Sequence, residues 1–359
     1  IMSVIFHKYI YKEEHMLLYE LFENDKEQLR KIQRINSKMR ENPAVIDELW
    51  KIISTKVANN EGGLESRILT AVRPENTGVE QDQTYGPGFL EGLVDAIDKT
   101  EGTVEEKIAF SQTLGTADHI DTNALMQPLS GWSDWLVGSP FATRLFDTMF
   151  KYPAFLQDNK GPGEFALAIL SPRIKLKGAK GDIDIAGVPV EVKAGMTSSG
   201  GRLSPTKGTL GQLYGNKDFW SSLAPDDGVK GAELGKTNKI NANNYSMFLD
   251  KNNLGPDQST KILTTIFTSP GAQALATKIG NMGTNVTASE LIKLAVKNYG
   301  DSQGDDKFLI LQKDIRTSLF FDVDDLDPIL SRISFSLPLV DSDARSQGQA
   351  QVGILKKAR

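Results

Sequence analysis

The segment Gly181-Asp182-Ile183-Asp184-Ile185-Ala186-Gly187-Val188-Pro189-Val190-Glu191-Val192-Lys193 sets three carboxylates and one ammonium at alternating positions. Successive side chains of a strand face opposite sides, so Asp182 and Asp184 share one face while Ile183 and Ile185 share the other. In the strand that follows, Val188, Val190 and Val192 point one way and Glu191 and Lys193 the other. With Ala186-Gly187 as the turn, pairing the strands through their apolar faces gathers the carboxylates and the ammonium on one surface. A hard divalent cation takes oxygen ligands of this kind and keeps waters. It lowers the pKa of a bound water, orients a phosphate and stabilises charge on a departing oxygen, which is the chemistry of phosphodiester hydrolysis. A neighbouring lysine stabilises developing charge or orients the attacking water. Carboxylates held this close repel one another, so a cation between them accounts for the arrangement. A solvated hairpin face with cross-strand ion pairs is the plain alternative.

An acidic-X-Lys triplet is by itself common, and Glu105-Glu106-Lys107, Asp158-Asn159-Lys160 and Asp305-Asp306-Lys307 match it too. None of these lies in an alternating apolar strand with an acidic strand just before it. The elements around Glu191 have a definite order. Gly163 to Leu170 predicts a short helix opened by Gly161-Pro162-Gly163-Glu164, and Arg173 to Lys177, Asp182 to Ala186 and Val188 to Lys193 predict three short strands. A later helix is expected over Leu210 to Leu223.

This succession resembles the PD-(D/E)XK nuclease superfamily, in which a helix carrying a Glu precedes a three-stranded meander, the second strand supplies an Asp and the third supplies (Asp/Glu)-X-Lys. Glu164, Asp184 and Glu191-Val192-Lys193 fit those places. Ile183 stands where the motif has Pro, which leaves open whether Asp182 or Asp184 is the ligand; Asp184, deeper in the strand, is preferred. The resemblance spans about 60 residues with any motif, and residues 1–150 lie outside it. It implies an α/β, restriction endonuclease-like mixed sheet flanked by helices, with a helical N-terminal region. It further implies a magnesium-dependent deoxyribonuclease, with Mn2+ able to substitute, acting as an endonuclease in phage or bacterial DNA processing or restriction. Glu164, Asp182, Asp184 and Glu191 are the expected metal ligands, and Asp184, Glu191 and Lys193 the catalytic residues. The alternative is a DNA-binding or virion structural protein that keeps an inactive nuclease-like fold.

Charge supports a DNA partner locally. From Lys160 to Lys217 the basic residues Lys160, Arg173, Lys175, Lys177, Lys180, Lys193, Arg202, Lys207 and Lys217 face only Glu164, Asp182, Asp184 and Glu191, inside a chain of net charge -5. Lys180, Arg202, Lys207 and Lys217 are expected to meet phosphates, the Gly200 to Lys207 stretch as a basic loop. Gln212 resembles the Gln on the following helix in some exonuclease branches, but Asn216 stands where they have Tyr.

The 359 residues hold no cysteine, which excludes disulfides, thiolate metal sites and a cysteine nucleophile. Asp118-His119 with Asp121 has no second histidine nearby and is not read as a metal site. Residues 1–60 are expected as a helical arm that could carry homo-oligomer or protein contacts, and 61–150 as a helical region with a linker. Residues 151–359 are expected to form the nuclease-like domain, with a helical insertion near 255–300. Trp132, Trp135 and Phe141 are expected in a core. Asp322, Asp324, Asp325 and Asp327 lack the Gly and final Glu of an EF-hand and read as a turn. The polar stretch Asp341 to Gln349 is expected to close a surface hairpin, with contact to DNA as the alternative. His7, Lys8, Lys12, Glu13 and Glu14 interrupt any apolar leader, and no stretch reaches the roughly 20 apolar residues of a membrane helix. A cytoplasmic site, in the host or in a virion if phage-encoded, is the expectation.

Overall fold

The computed structural model describes residues 43–64, 85–150, 161–176, 182–195, 201–205, 211, 213–223, 240–341 and 347–355. It is a mixed α/β protein whose described residues fall into two compact units. The first takes residues up to Ala124 with Ser133–Val188, and the second takes Leu125–Trp132 with Pro189–Arg359. Residues 1–42 of the expected arm, with Lys160, Lys180 and Lys207, lie outside the described residues.

In the first unit, helix α1 (Pro43–Ala58) buries Val45, Leu49, Ile53 and Val57, a ladder at four-residue spacing that forms one apolar stripe. It packs against α2 (Tyr85–Lys99) and α3 (Val104–Thr113). A capping box opens α3: Thr103 Oγ1 accepts from the Glu106 backbone N–H, and the Glu106 side chain accepts from that of Thr103. Helix α4 (Pro140–Met149) starts at Ser139, whose hydroxyl accepts from Ala142 N–H, and buries Phe141, Leu145, Phe146 and Met149. Trp135 meets Phe146 edge-on at 5.2 Å, and Trp135 and Phe141 are core residues as their sequence context predicts. Helix α5 (Pro162–Leu170) is buried all round from Gly163 to Leu170. Strands β1 (Ile174–Leu176) and β2 (Ile183–Ile185) then pair antiparallel, with Lys175 opposite Asp184. Ala186 and Gly187 follow with φ of 51° and 92°, the left-handed pair that a two-residue hairpin turn requires.

The second unit holds most of β3 (Val188–Gly195), which runs parallel to β6 (Lys307–Gln312). β6 pairs antiparallel with β7 (Thr317–Asp322), and β7 with the two-residue strand Ser130–Gly131, so the sheet is mixed. A second sheet joins β4 (Gly201–Leu203), β10 (Ala350–Ile354) and β8 (Ile333–Ser336), and a third pairs β5 (Ile240–Asn241) with β9 (Pro338–Val340). The helices here are α6 (Lys217–Ser221), α7 (Tyr245–Lys251), α8 (Pro256–Ile266), α9 (Pro270–Gly280) and α10 (Ala288–Gln303). Helices α8, α9 and α10 fill the stretch where helix is expected and build one core with β6 and β7 through Leu263, Ile266, Leu294, Phe308 and Ile310.

Three local expectations are corrected. The helix predicted over Leu210 to Leu223 shrinks to α6, because Gly211 sits against the Thr265 carbonyl, donating its N–H to Ile266 O, and Gly215 turns the chain at φ 73°. The basic loop predicted at Gly200 to Lys207 contains strand β4. Among the described residues, the strands flanking Asp341 to Gln349 do not pair with each other as a hairpin's would: β9 pairs with β5, and β10 with β4 and β8.

Candidate functional site

Glu191 and Lys193 stand two residues apart on β3, on the face opposite the buried Val190 and Val192, as strand alternation dictates. The structure brings them together. Lys193 Nζ donates to Glu191 Oε1 at 2.5 Å, and the Glu191 residue is only 7 % exposed. A third group joins them from α10: the Tyr299 hydroxyl donates to the same Oε1 at 2.7 Å. The Lys193 ammonium also lies 5.7 Å from the centroid of the Tyr299 ring, within cation–π range. Tyr299 packs on Phe308 at 5.4 Å, and Phe308 stacks on Phe321 at 5.4 Å, so the phenol rests on the aromatic core of the second unit. Such a buried charge needs several donors, and Glu191 draws them from its own strand and from a helix.

Gly201 closes the other flank of Lys193. A Cβ placed on Gly201 would come within 2.4 Å of Lys193 Cβ, closer than side chains approach, so the start of β4 fits only because residue 201 has none. The next residue, Arg202, is exposed on β4 opposite Gln351. Of the other residues expected to meet phosphates, Lys217 opens α6.

The remaining expected ligands belong to the first unit. Glu164 lies in the first turn of α5, where the helix N-terminus favours a carboxylate, and is 4 % exposed. Its carboxyl folds over Gly161, leaving a Cβ there only 2.7 Å from Oε2. Asp182 is buried, whereas Asp184 is half-buried and its Oδ1 accepts from Gly187 N–H at 2.6 Å, which fixes the turn. Among the described residues, no group of three or more His, Asp or Glu side chains is arranged to hold a metal ion. Asp118 pairs with Arg173 at 3.1 Å, and Asp121 accepts from the Asn123 and Ala124 N–H groups. His119 stacks on Phe110 at 5.4 Å, and burial pushes its pKa down against the opposing pull of Asp118.

Tyr299 is the residue that sequence reasoning missed. It lies on the buried stripe of α10 with Leu291, Ile292, Ala295 and Val296, so it reads as a core aromatic. Its acceptor is 108 positions away, beyond any local pattern. Comparison with known proteins finds no match: no family model fits the chain, and neither curated proteins nor solved structures give one.

Proposed function

We propose that the chain is a metal-dependent deoxyribonuclease of the PD-(D/E)XK kind, cutting DNA at internal phosphodiester bonds. The observation that carries the reading is the pair of buried Glu191 and half-buried Lys193 on β3, preceded in the chain by a helix with a buried Glu in its first turn and by a strand bearing Asp184. The parallel partner strand β6 also supports it, since a mixed sheet flanked by helices is what the resemblance implies.

Glu164, Asp182 or Asp184, and Glu191 offer the hard oxygen donors that magnesium or manganese takes. Each is a donor type that such an ion takes; Glu164, Asp182 and Asp184 belong to the first unit and Glu191 to the second, and among the described residues no group of three or more is arranged to hold a metal ion. A bound ion would supply an acidified water and charge neutralisation at the phosphate. The chain's own part is narrower. Lys193 places an ammonium where charge develops on a phosphate oxygen, Glu191 holds that ammonium, and exposed Arg202 neutralises a flanking phosphate.

The second reading is a DNA-binding or virion structural protein that keeps an inactive nuclease-like fold. The test is cleavage of circular and linear DNA with magnesium, manganese or EDTA, by the wild type and by Glu191→Ala, alongside calorimetry with Mn2+. Metal-dependent cutting that the substitution removes supports the nuclease, and cutting of the circle marks an endonuclease. No cutting together with no heat of Mn2+ binding moves the assignment to the second reading.

A further inference from the structure

Glu191 Oε1 receives donors from two different elements, Lys193 Nζ on β3 and the Tyr299 hydroxyl on α10. Phenylalanine would serve the packing at 299 equally well, because the ring is 2 % exposed and sits against Phe308. The hydroxyl therefore needs its own explanation: buried, it costs free energy unless bonded, and its partner is a carboxylate rather than a nearby backbone carbonyl. Two donors on one oxygen hold the Glu191 carboxylate in one orientation. That oxygen, the Tyr299 ring and the close approach of Gly201 to the Lys193 stem together set where the ammonium stands.

We propose that Tyr299 is a positioning residue for the Glu191–Lys193 pair, fixing the carboxylate and through it the ammonium while touching no substrate. The proposal rests on the nuclease reading for the chemistry the pair performs, but the placement itself is measurable without DNA or metal. Tyr299→Phe keeps the ring and its packing and deletes only the donor. Exchange of the Lys193 ammonium protons with water, followed by NMR on the full chain, should accelerate, with the melting temperature little changed. In cleavage assays kcat should fall about ten- to a hundredfold with KM unchanged, the range for losing a residue that orients an active group.

The two readouts separate the two ideas. Faster exchange in a protein whose wild type neither cuts DNA nor binds Mn2+ upholds the positioning role and removes the nuclease. Unchanged exchange in folded Tyr299→Phe overturns the positioning role even where the wild type cuts. If Tyr299→Phe proves unstable, a ring-fluorinated tyrosine at position 299 makes the hydroxyl a stronger donor in the same shape. Slower exchange there upholds the proposal, and no change overturns it.

Discussion

Two acidic-X-Lys triplets lie side by side in the second unit, Glu191-Val192-Lys193 on β3 and Asp305-Asp306-Lys307 running into the parallel strand β6, where Phe308 stands opposite Glu191. In the first, the lysine reaches back to the glutamate of its own triplet, and the pair is mostly buried, with side-chain exposures of 25 % and 10 %. In the second, Lys307 turns to its register partner Asp322 on β7 at 2.6 Å, with exposures of 36 % and 35 %. Burial acts to raise the Asp322 pKa, but Lys307 and the Asp324 N–H outweigh it and hold the carboxyl low. That is an ordinary cross-strand ion pair, worth little in water. A third triplet, Glu105-Glu106-Lys107, sits in the first turns of α3, where Glu106 serves the capping box and Arg144 while Lys107 reaches Asp98. The same acidic-X-Lys pattern thus takes part in a helix cap, a half-exposed ion pair and a mostly buried one. What singles out the last is a tyrosine donor delivered by another element, and removing one member of such a pair leaves an uncompensated buried charge.

The largest expected effect tests that contrast directly. Glu191→Gln and Lys193→Ala should each lower metal-dependent DNA cleavage by at least about a hundredfold, whereas Lys307→Ala should leave it unchanged. Next, Phe308→Ala removes the ring beneath Tyr299, and denaturant unfolding should show a loss of about 3–5 kcal/mol, the cost of a large aromatic cavity. A value under about 1 kcal/mol would mean that the aromatic floor under the pair is not packed as described. Gly201→Ala forces a methyl against Lys193 and should cost about 1–3 kcal/mol by overpacking. The same variant should weaken cleavage, while an alanine with full activity would separate Gly201 from the pair.

The smallest effect belongs to the first unit, where His119 is a partly buried titratable group with no hydrogen bond to either ring nitrogen among the described residues. Burial lowers its folded pKa below the ordinary value of 6.5, so the unfolded chain takes up the proton first as pH falls. Stability contributed by neutral His119 is therefore present above that value and lost below it. Melting curves should show the decline in the wild type and a flatter profile in His119→Phe; identical profiles would contradict the assignment.

Much of this architecture was legible in the sequence where pattern is local. Ile183 and Ile185, then Val190 and Val192, announce strands by alternation, and Ala186-Gly187 announces the turn that its positive φ values require. Trp135 and Phe141 announce a core. The signal fails where tertiary structure decides. Leu210 to Leu223 has helical spacing, yet the approach of Gly211 to the Thr265 carbonyl and the turn at Gly215 limit the helix to five residues. Arg202 reads as loop until β10, some 150 positions on, supplies its partner strand. For the site, adjacency of Glu191 and Lys193 follows from strand geometry alone, but their tyrosine partner does not, because a core aromatic and a positioning phenol look alike in a helical stripe.

The central claim is that the buried triplet on β3, and not its neighbour on β6, does chemistry. The most direct measurement is the rate of nicking of circular DNA in magnesium by the wild type, Glu191→Gln, Lys193→Ala and Lys307→Ala, at a temperature at which circular dichroism shows all four folded. Nicking by the wild type and Lys307→Ala, with both β3 variants inactive, is the predicted result. Undiminished nicking by Glu191→Gln and Lys193→Ala would contradict it.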